Sequence, residues 1–173
     1  MTGSELFDLK SGKLVNGIKW NSKGFVKSDT KVSLEKVRFA IGVTPQFLDL
    51  VVEIDDEAYH PIKGRNAWNG DSIQFAFDPP GYGLQAERLE FLTTTTNTGL
   101  GVFKLATPDI YGDLPNNWSQ QRSLTRDADA LIQKSGKNTT RYLIRIPNSE
   151  LYPYRTDDMM KQLRFSLLIN DND

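Results

Sequence analysis

The stretch between residues 47 and 80 constrains the fold of this chain more than any other part of the sequence. Apolar side chains recur at every second position in residues 47–56, and the same alternation returns in residues 72–78. Because successive side chains of a β-strand point to opposite faces, each segment is predicted to be a strand with one face toward a core and one toward solvent. The pair Asn69-Gly70 is a strong turn signal just before the second strand. Trp68 is therefore predicted to lie at the tip of a loop.

The rest of the chain repeats this pattern of short alternating segments separated by turn residues. Residues 1–36 are predicted to form irregular short edge strands and turns. Many short strands with a turn every roughly 8 to 12 residues favour an antiparallel β-sandwich, an all-β fold of the jelly-roll or immunoglobulin-like two-sheet type. We expect it to span residues 1–173 as a single domain. The further predictions are strands over 37–43, 89–96, 102–105, 130–134, 141–146 and 163–169, a long loop over 107–129 and a single helical turn within 150–160.

Composition argues against several classes of partner. The formal net charge of -1 provides no excess of basic side chains for a phosphate backbone, so no nucleic-acid partner is predicted. No apolar run approaches the roughly 20 residues that span a bilayer, and the first residues lack a basic-then-apolar signal pattern, so no membrane partner is predicted. The chain has no cysteine, which excludes disulfides, thiolate metal sites and a cysteine nucleophile.

Catalytic constellations are weakly represented. His60 is the only histidine, so a Ser/His/Asp triad would have to use it, and no GxSxG elbow accompanies it. Haem ligation could in principle pair His60 with Met159 or Met160, although such methionines more often fill gaps in a core. A glycosidase needs two carboxyls across a cleft, whereas Asp55 and Asp56 are strand neighbours that point to opposite faces. The sequence therefore predicts a protein without enzyme activity or organic cofactor.

The loop tryptophan has two interpretations. Trp68 can fold back over the edge of the core, or it can offer a flat surface on which the C–H face of a sugar ring stacks. Amide and carboxyl groups that could hydrogen-bond sugar hydroxyls follow it closely, and one of them, Gln74, shares a strand face with Ser72. Residue chemistry alone leaves both interpretations open.

Three segments in this order resemble the family 9 carbohydrate-binding modules and the related DOMON-like sandwiches. The first is the alternating strand that ends in Asp55-Asp56. The second runs from Trp68 through Gly70-Asp71-Ser72-Ile73-Gln74-Phe75. The third combines residues 142–147, which end in Ile-Pro, with residues 167–173, which end in Asn-Asp-Asn-Asp. The resemblance covers roughly residues 37–173 and rests on the three segments together.

This resemblance implies a non-catalytic sugar-binding domain, joined covalently to other domains of an extracellular or cell-surface protein such as a polysaccharide-degrading enzyme. Its partner would be a polysaccharide or oligosaccharide, of plant type, held by stacking between two tryptophans, and the family carries structural Ca²⁺. Trp68 matches the first family tryptophan, and Gln74 stands where a family member carries a carboxylate. Asn170 or Asn172 falls in the segment that supplies an asparagine contact, and we name Asn172 for that role and add His60 as a polar contact.

The sequence also departs from the family. The segment that carries the second family tryptophan would follow Asp173, and glutamine in place of a carboxylate at position 74 changes the hydrogen bonding. The end of the chain, Asp171-Asn172-Asp173, resembles part of a calcium loop. The alternative function is a structural or protein-interaction sandwich of a larger exported protein, with no sugar site.

Overall fold

The computed structural model describes residues 3–22, 37–55, 58–62, 69–81, 87–96, 99–108 and 123–170. The elements of these ranges, in chain order, are β1 (Val37–Val43), β2 (Phe47–Asp55), β3 (Ser72–Asp78), β4 (Leu89–Thr96), β5 (Gly99–Ala106), β6 (Ser123–Leu124), β7 (Asp129–Lys134), β8 (Thr139–Pro147), a 3-10 helix (Asn148–Glu150), α1 (Thr156–Lys161) and β9 (Arg164–Asn170). None of the described helices is long and apolar enough to cross a membrane.

The strands form two antiparallel sheets. One has four strands in the order β1-β2-β8-β7, and the other has five in the order β6-β5-β4-β3-β9. The predicted antiparallel β-sandwich is thereby confirmed, and the predicted strands agree with the observed ones to within a few residues at each end. The prediction of a continuous loop over 107–129 was wrong, because β6 lies within it. The predicted hairpin of β7 and β8 turns at Gly136, which adopts a φ of 95° that side-chain-bearing residues rarely reach.

The core lies between the two sheets and is built from the alternating apolar positions. Aromatic rings dominate the side of the five-stranded sheet, where Phe75 and Phe91 stack with centroids 5.4 Å apart. Met159 of α1 is fully buried in this core, so it is a packing residue and not an available haem ligand. The buried core members are Val37, Val43, Leu48, Leu50, Val52, Ile54, Ile73, Phe75, Phe77, Leu89, Phe91, Val102, Tyr142, Ile144, Ile146, Leu151 and Met159.

The second face of β2 is not open to solvent, and the prediction of a solvent face there was wrong. Asp49, Val51 and Glu53 all point away from the main core, yet all three are buried. Leu6 and Phe7 of the N-terminal segment pack on Ala40, Val51 and Leu143 in a second, smaller apolar cluster. The carboxylate of Glu53 pairs with Arg38 and Arg141 of the neighbouring strands. The four-stranded sheet is therefore buried on both faces around β2 and β8.

Hydrogen bonds tie this N-terminal cover to the sheet. The carboxylate of Asp49 accepts from the backbone nitrogen of Leu6 at 2.9 Å and from Nε and Nη2 of Arg145 at 2.8 and 2.9 Å. The same guanidinium donates to the carbonyl of Phe7 at 3.1 Å and lies over the ring of Phe47, 3.8 Å from its centroid. A buried carboxylate is tolerated when its lone pairs are satisfied in this way.

Residues 3–22 contain turns and isolated bridges where short edge strands were predicted. The bridges join Phe7 to Leu14 and Asn21 to Phe39 of β1. Gly12 and Gly17 have φ values of 66° and 78°, so each reverses the chain before a strand can extend. Residues 23–36, which complete the predicted N-terminal segment, lie outside the described ranges, and the extent of the single domain stays a prediction.

Replacing Asp49 by alanine should destabilise the fold by about 3–5 kcal/mol, because it leaves the Arg145 guanidinium and the Leu6 amide without their buried acceptor. Urea denaturation followed by tryptophan fluorescence measures the change. The matched control is Glu5→Ala, which removes a 56% exposed carboxylate 3.3 Å from the same guanidinium and should cost about 0–1 kcal/mol. Equal losses in the two variants would contradict the assigned role of Asp49.

The carboxylate of Glu150 makes the free energy of unfolding depend on pH. Its carboxylate accepts from the backbone nitrogens of Arg126 and Asp127 at 2.7 and 3.2 Å and pairs with Nζ of Lys104 at 3.0 Å. Burial alone would raise the pKa of Glu150, but these hydrogen bonds outweigh it and hold the pKa below the ordinary value of 4.5.

A carboxyl whose pKa is lowered by folding stabilises the protein above its ordinary pKa, and this contribution disappears as the pH falls through the folded-state value. We therefore expect Glu150→Gln to have a lower melting temperature than the wild type at pH 7 and a difference that shrinks below about pH 4.5. Thermal melts from pH 7 to pH 3 test this. A difference in melting temperature that stays constant from pH 7 to pH 3 would show that the charge of Glu150 is not what stabilises its contacts with Lys104, Arg126 and Asp127.

Candidate functional site

Gln74 lies on the outer face of the five-stranded sheet. Its neighbours in β3, Ile73 and Phe75, are buried in the core, so the side chain between them points the other way and is half-buried. The strand register places Leu92 of β4 directly beside Gln74 on one side and Leu168 of β9 on the other. The predicted orientation of Gln74, opposite to Ile73, is what the structure shows.

A second pair of polar side chains continues this face toward the start of β3. Ser72 stands opposite Asn170, whose Nδ2 donates to the Ser72 hydroxyl at 3.1 Å. The hydroxyl in turn donates to the carbonyl of Gly70 at 3.0 Å, which holds the serine rotamer and orients the asparagine. We call the five residues Ser72, Gln74, Leu92, Leu168 and Asn170 the Gln74 surface.

The Gln74 surface offers the amides of Gln74 and Asn170 and the aliphatic side chain of Leu168, whereas Ser72 is fully buried and its hydroxyl orients Asn170. Leu168 is 50% exposed, whereas Leu92 is 3% exposed, so the open apolar contact lies on the β9 side. The two cross-strand neighbours of Gln74 carry no charge. Such a surface can hydrogen-bond an uncharged hydroxylated ligand while an aliphatic side chain covers its C–H groups.

The backbone of residues 58–62 is held against the start of β3. The amide of His60 donates to Oδ2 of Asp71, and the amide of Asp71 donates to the His60 carbonyl at 3.1 Å. Gly70 packs so closely on Ile62 that an added Cβ would lie 2.2 Å from the Ile62 nitrogen. These contacts fix the chain on both sides of residues 63–68.

Tyr59 anchors the same segment in the space between the sheets. Its hydroxyl is 2.8 Å from Oγ1 of Thr95, and its ring packs edge-on against Tyr142 with centroids 6.4 Å apart. Burial raises the pKa of Tyr59 above its ordinary value of 10.0, the Thr95 hydrogen bond opposing this. The phenol therefore stays neutral at physiological pH and serves as an anchor.

Of the residues named for the predicted site, the structure describes Gln74, His60 and the alternative asparagine, Asn170, and of these it places Asn170 on the sheet face of Gln74. The side chain of His60 is exposed beside the start of β3, and no hydrogen bond among the described residues joins it to Gln74. Trp68 and Asn172 lie outside the described ranges. Sequence reasoning missed Leu168 as a member of this surface, because the register of β9 against β3 cannot be read from either strand alone.

The calcium prediction gains no support from the described residues. In those ranges no three histidine, aspartate or glutamate side chains come together in a way that could hold a metal ion. The predicted partial calcium loop at 171–173 lies outside them. No calcium ligands are therefore assigned.

Comparisons with solved structures find the same fold in sugar-binding proteins. A family 9 carbohydrate-binding module from Caldicellulosiruptor kristjanssonii, solved in complex with glucose, superposes with a TM-score of 0.61 at 14% identity over 99% of this chain and 76% of that one. Its complex with cellotriose gives 0.60 at 14% identity, over 99% and 75%. A Bacteroides uniformis protein named for a proposed carbohydrate-binding role gives 0.50 at 13% identity, over 91% and 80%.

No protein-family model matches the chain, and no curated protein matches it either. The chain thus has the fold of a family 9 carbohydrate-binding module, as the sequence resemblance predicted. At this level of identity the likeness concerns the fold, and the function has to be argued from the site.

Gly70→Ala should destabilise the protein by about 1–3 kcal/mol, because the new methyl group meets the Ile62 backbone. Hydrogen exchange should then speed up at the amides of His60 and Asp71, which bond across this contact. Gly3→Ala is the matched control, since nothing lies within 4 Å of a Cβ at that position. Unchanged exchange at both amides in Gly70→Ala would contradict the close packing described here.

Proposed function

We propose that this chain is a non-catalytic carbohydrate-binding domain whose sugar site is the Gln74 surface together with Trp68. The observation that carries the proposal is the position of Gln74. It is a half-buried amide on the outer face of a rigid central strand, six residues after Trp68, between an exposed leucine and a serine–asparagine pair.

The physical case is that each group on the surface matches one part of a sugar. The Gln74 amide has both a donor and an acceptor, so it can pair with neighbouring hydroxyls of a pyranose ring. Leu168 offers aliphatic contact for axial C–H groups, and Trp68 would supply the larger stacking surface. The strand backbone under Gln74 is tied into two neighbouring strands, so these groups are pre-organised for a ligand.

Two further lines support the proposal. The chain shares its fold with modules that are solved with glucose and with cellotriose, and the sequence around Trp68 and Gln74 resembles that family. The other large outer face of the sandwich, around β2 and β8, is covered by residues 3–22. The face with Gln74 is consequently the better candidate for a ligand among the described surfaces.

The same reasoning extends to the setting of the domain. We infer that its partner is a plant-type polysaccharide or oligosaccharide and that it works outside the cell, covalently joined to other domains such as those of a glycoside hydrolase. Structural Ca²⁺ is part of this proposal through the family resemblance. Nucleic acid and membranes are not proposed as partners.

One observation favours a second function, that of a structural or protein-interaction sandwich without a sugar site. Gln74 stands between two leucines, so this face carries fewer hydrogen-bonding groups than a polar sugar subsite commonly does. A surface of this composition also suits contact with another protein.

Calorimetric titration with glucose, cellobiose, cellotriose and xylobiose, with Ca²⁺ present, separates the two functions. We expect saturable binding of at least one sugar by the wild type and a loss of tenfold or more in affinity in both Trp68→Ala and Gln74→Ala. The matched control is Trp20→Ala, since Trp20 stacks on Arg38 of the other sheet, 4.2 Å from its ring centroid. That variant should bind sugar like the wild type.

The outcomes divide clearly. No heat with any of these sugars in the wild type would favour the structural function. Binding that survives Trp68→Ala and Gln74→Ala but weakens in Trp20→Ala would place the sugar site on the opposite side of the sandwich.

A further inference from the structure

β9 forms an open edge of the five-stranded sheet. Among the strands of the described ranges it pairs only with β3, in a register that runs without a shift from Asp78–Arg164 to Ser72–Asn170. An edge of this kind presents backbone N–H and C=O groups that another strand can use.

The side chains of β9 that face the core are incompletely covered. Phe165, Leu167 and Ile169 pack against the core but are only half-buried, whereas their cross-strand partners on β3 are fully buried. A groove of about 410 Å³ opens beside Phe165, between β9 and β1, and its walls combine apolar side chains such as Phe39, Ile41 and Leu163 with the polar residues Lys19 and Asn21. The sandwich is thus less closed along β9 than at its centre.

The edge strand β1 of the four-stranded sheet is partly paired. At Phe39 of β1 the backbone of Asn21 pairs with the strand, through hydrogen bonds of 2.7 and 2.8 Å in both directions. Within its own sequence β9 contains no proline, no lysine and no bulge, three features that commonly protect an edge strand, and its exposed face carries Leu168. Its single charge, Arg164, stands at its start, opposite Asp78.

We propose that a second copy of this chain pairs with β9, edge to edge and antiparallel. The two-fold axis lies between the two β9 strands and runs perpendicular to the sheet. The sequence of β9 is self-complementary in this arrangement. In the register centred on Leu167, Phe165 faces Ile169 of the second copy, and Arg164 faces Asn170 of the second copy. No like charges meet, and apolar side chains meet apolar side chains on the core side.

The pairing would close both grooves at once, since the half-buried side chains of each copy gain an apolar partner. Seven residues of strand and one groove per copy make a small interface, so the dimer should be weak and should form only at high protein concentration. The result is a continuous ten-stranded sheet in which the two Gln74 surfaces lie on the same side.

The dimer would also bring two sugar sites close together. This part of the inference rests on the proposed function, whereas the pairing of β9 does not. The strand order β3-β9-β9-β3 separates the two glutamines by three strand spacings, or about 14 Å. Two sites that close together can engage neighbouring segments of a polysaccharide that run in opposite directions, and the second contact then forms at a high effective concentration.

Sedimentation velocity tests the dimer. Across roughly 5–500 μM protein we expect the wild type to shift from monomer to dimer, and Leu168→Lys to stay monomeric because it places a charge on the pairing edge. The matched control is Leu124→Lys, which puts the same charge at a 52% exposed leucine of β6, on the far edge of the same sheet. It should dimerise like the wild type. Ser166→Lys, at an already exposed position of β9, repeats the test if Leu168→Lys unfolds.

A wild type that remains monomeric at the highest concentration would overturn the proposal. So would a dimer that survives both lysines on β9, or one that is lost in Leu124→Lys. Because the chain has no cysteine, Ser166→Cys can carry a single spin label. A distance distribution centred beyond about 30 Å between labels in the dimer would also exclude pairing through β9, whose neighbouring strands lie about 5 Å apart.

Discussion

The buried ion pair of Asp49 and Arg145 is the interaction on which the layered structure depends. It lies on the outer face of β2, where a two-layer sandwich would ordinarily meet water, and it is covered by the N-terminal segment. An unpaired charge in that position would cost several kcal/mol, so the guanidinium, the Leu6 amide and the carboxylate have to be in place together. The N-terminal segment is thereby fixed in register with strands that follow it by more than 40 residues.

The N-terminal segment makes the two outer faces of the sandwich different. Residues 3–22 cover the outer face of the four-stranded sheet around β2, whereas on the outer face of the five-stranded sheet Leu168 is exposed and Gln74 is half-buried, beside the buried Ser72 and Leu92. A central strand is also a rigid support, since β3 is hydrogen-bonded on both sides. Side chains on its outer face lose little further freedom when a ligand binds.

Alternation of apolar residues was enough to predict the strands and the sandwich, because period two is a property of each strand alone. It was not enough to predict the burial of Asp49 and Glu53. A carboxylate on the outer face of a strand gives the same sequence pattern whether that face meets water or is covered by another segment. The signal was present in a less local form. Asp49 and Glu53 are spaced like Arg141 and Arg145, and the antiparallel register of β2 and β8 brings each acid beside an arginine.

The candidate site shows the same division between local and non-local information. The outward direction of Gln74 followed from its own strand, while its neighbours Leu168 and Asn170 came from a strand almost a hundred residues later. β9 therefore has two roles: one face completes the Gln74 surface, and its free edge lies beside a half-open core. Any strand that pairs with this edge would extend the sheet that carries the site.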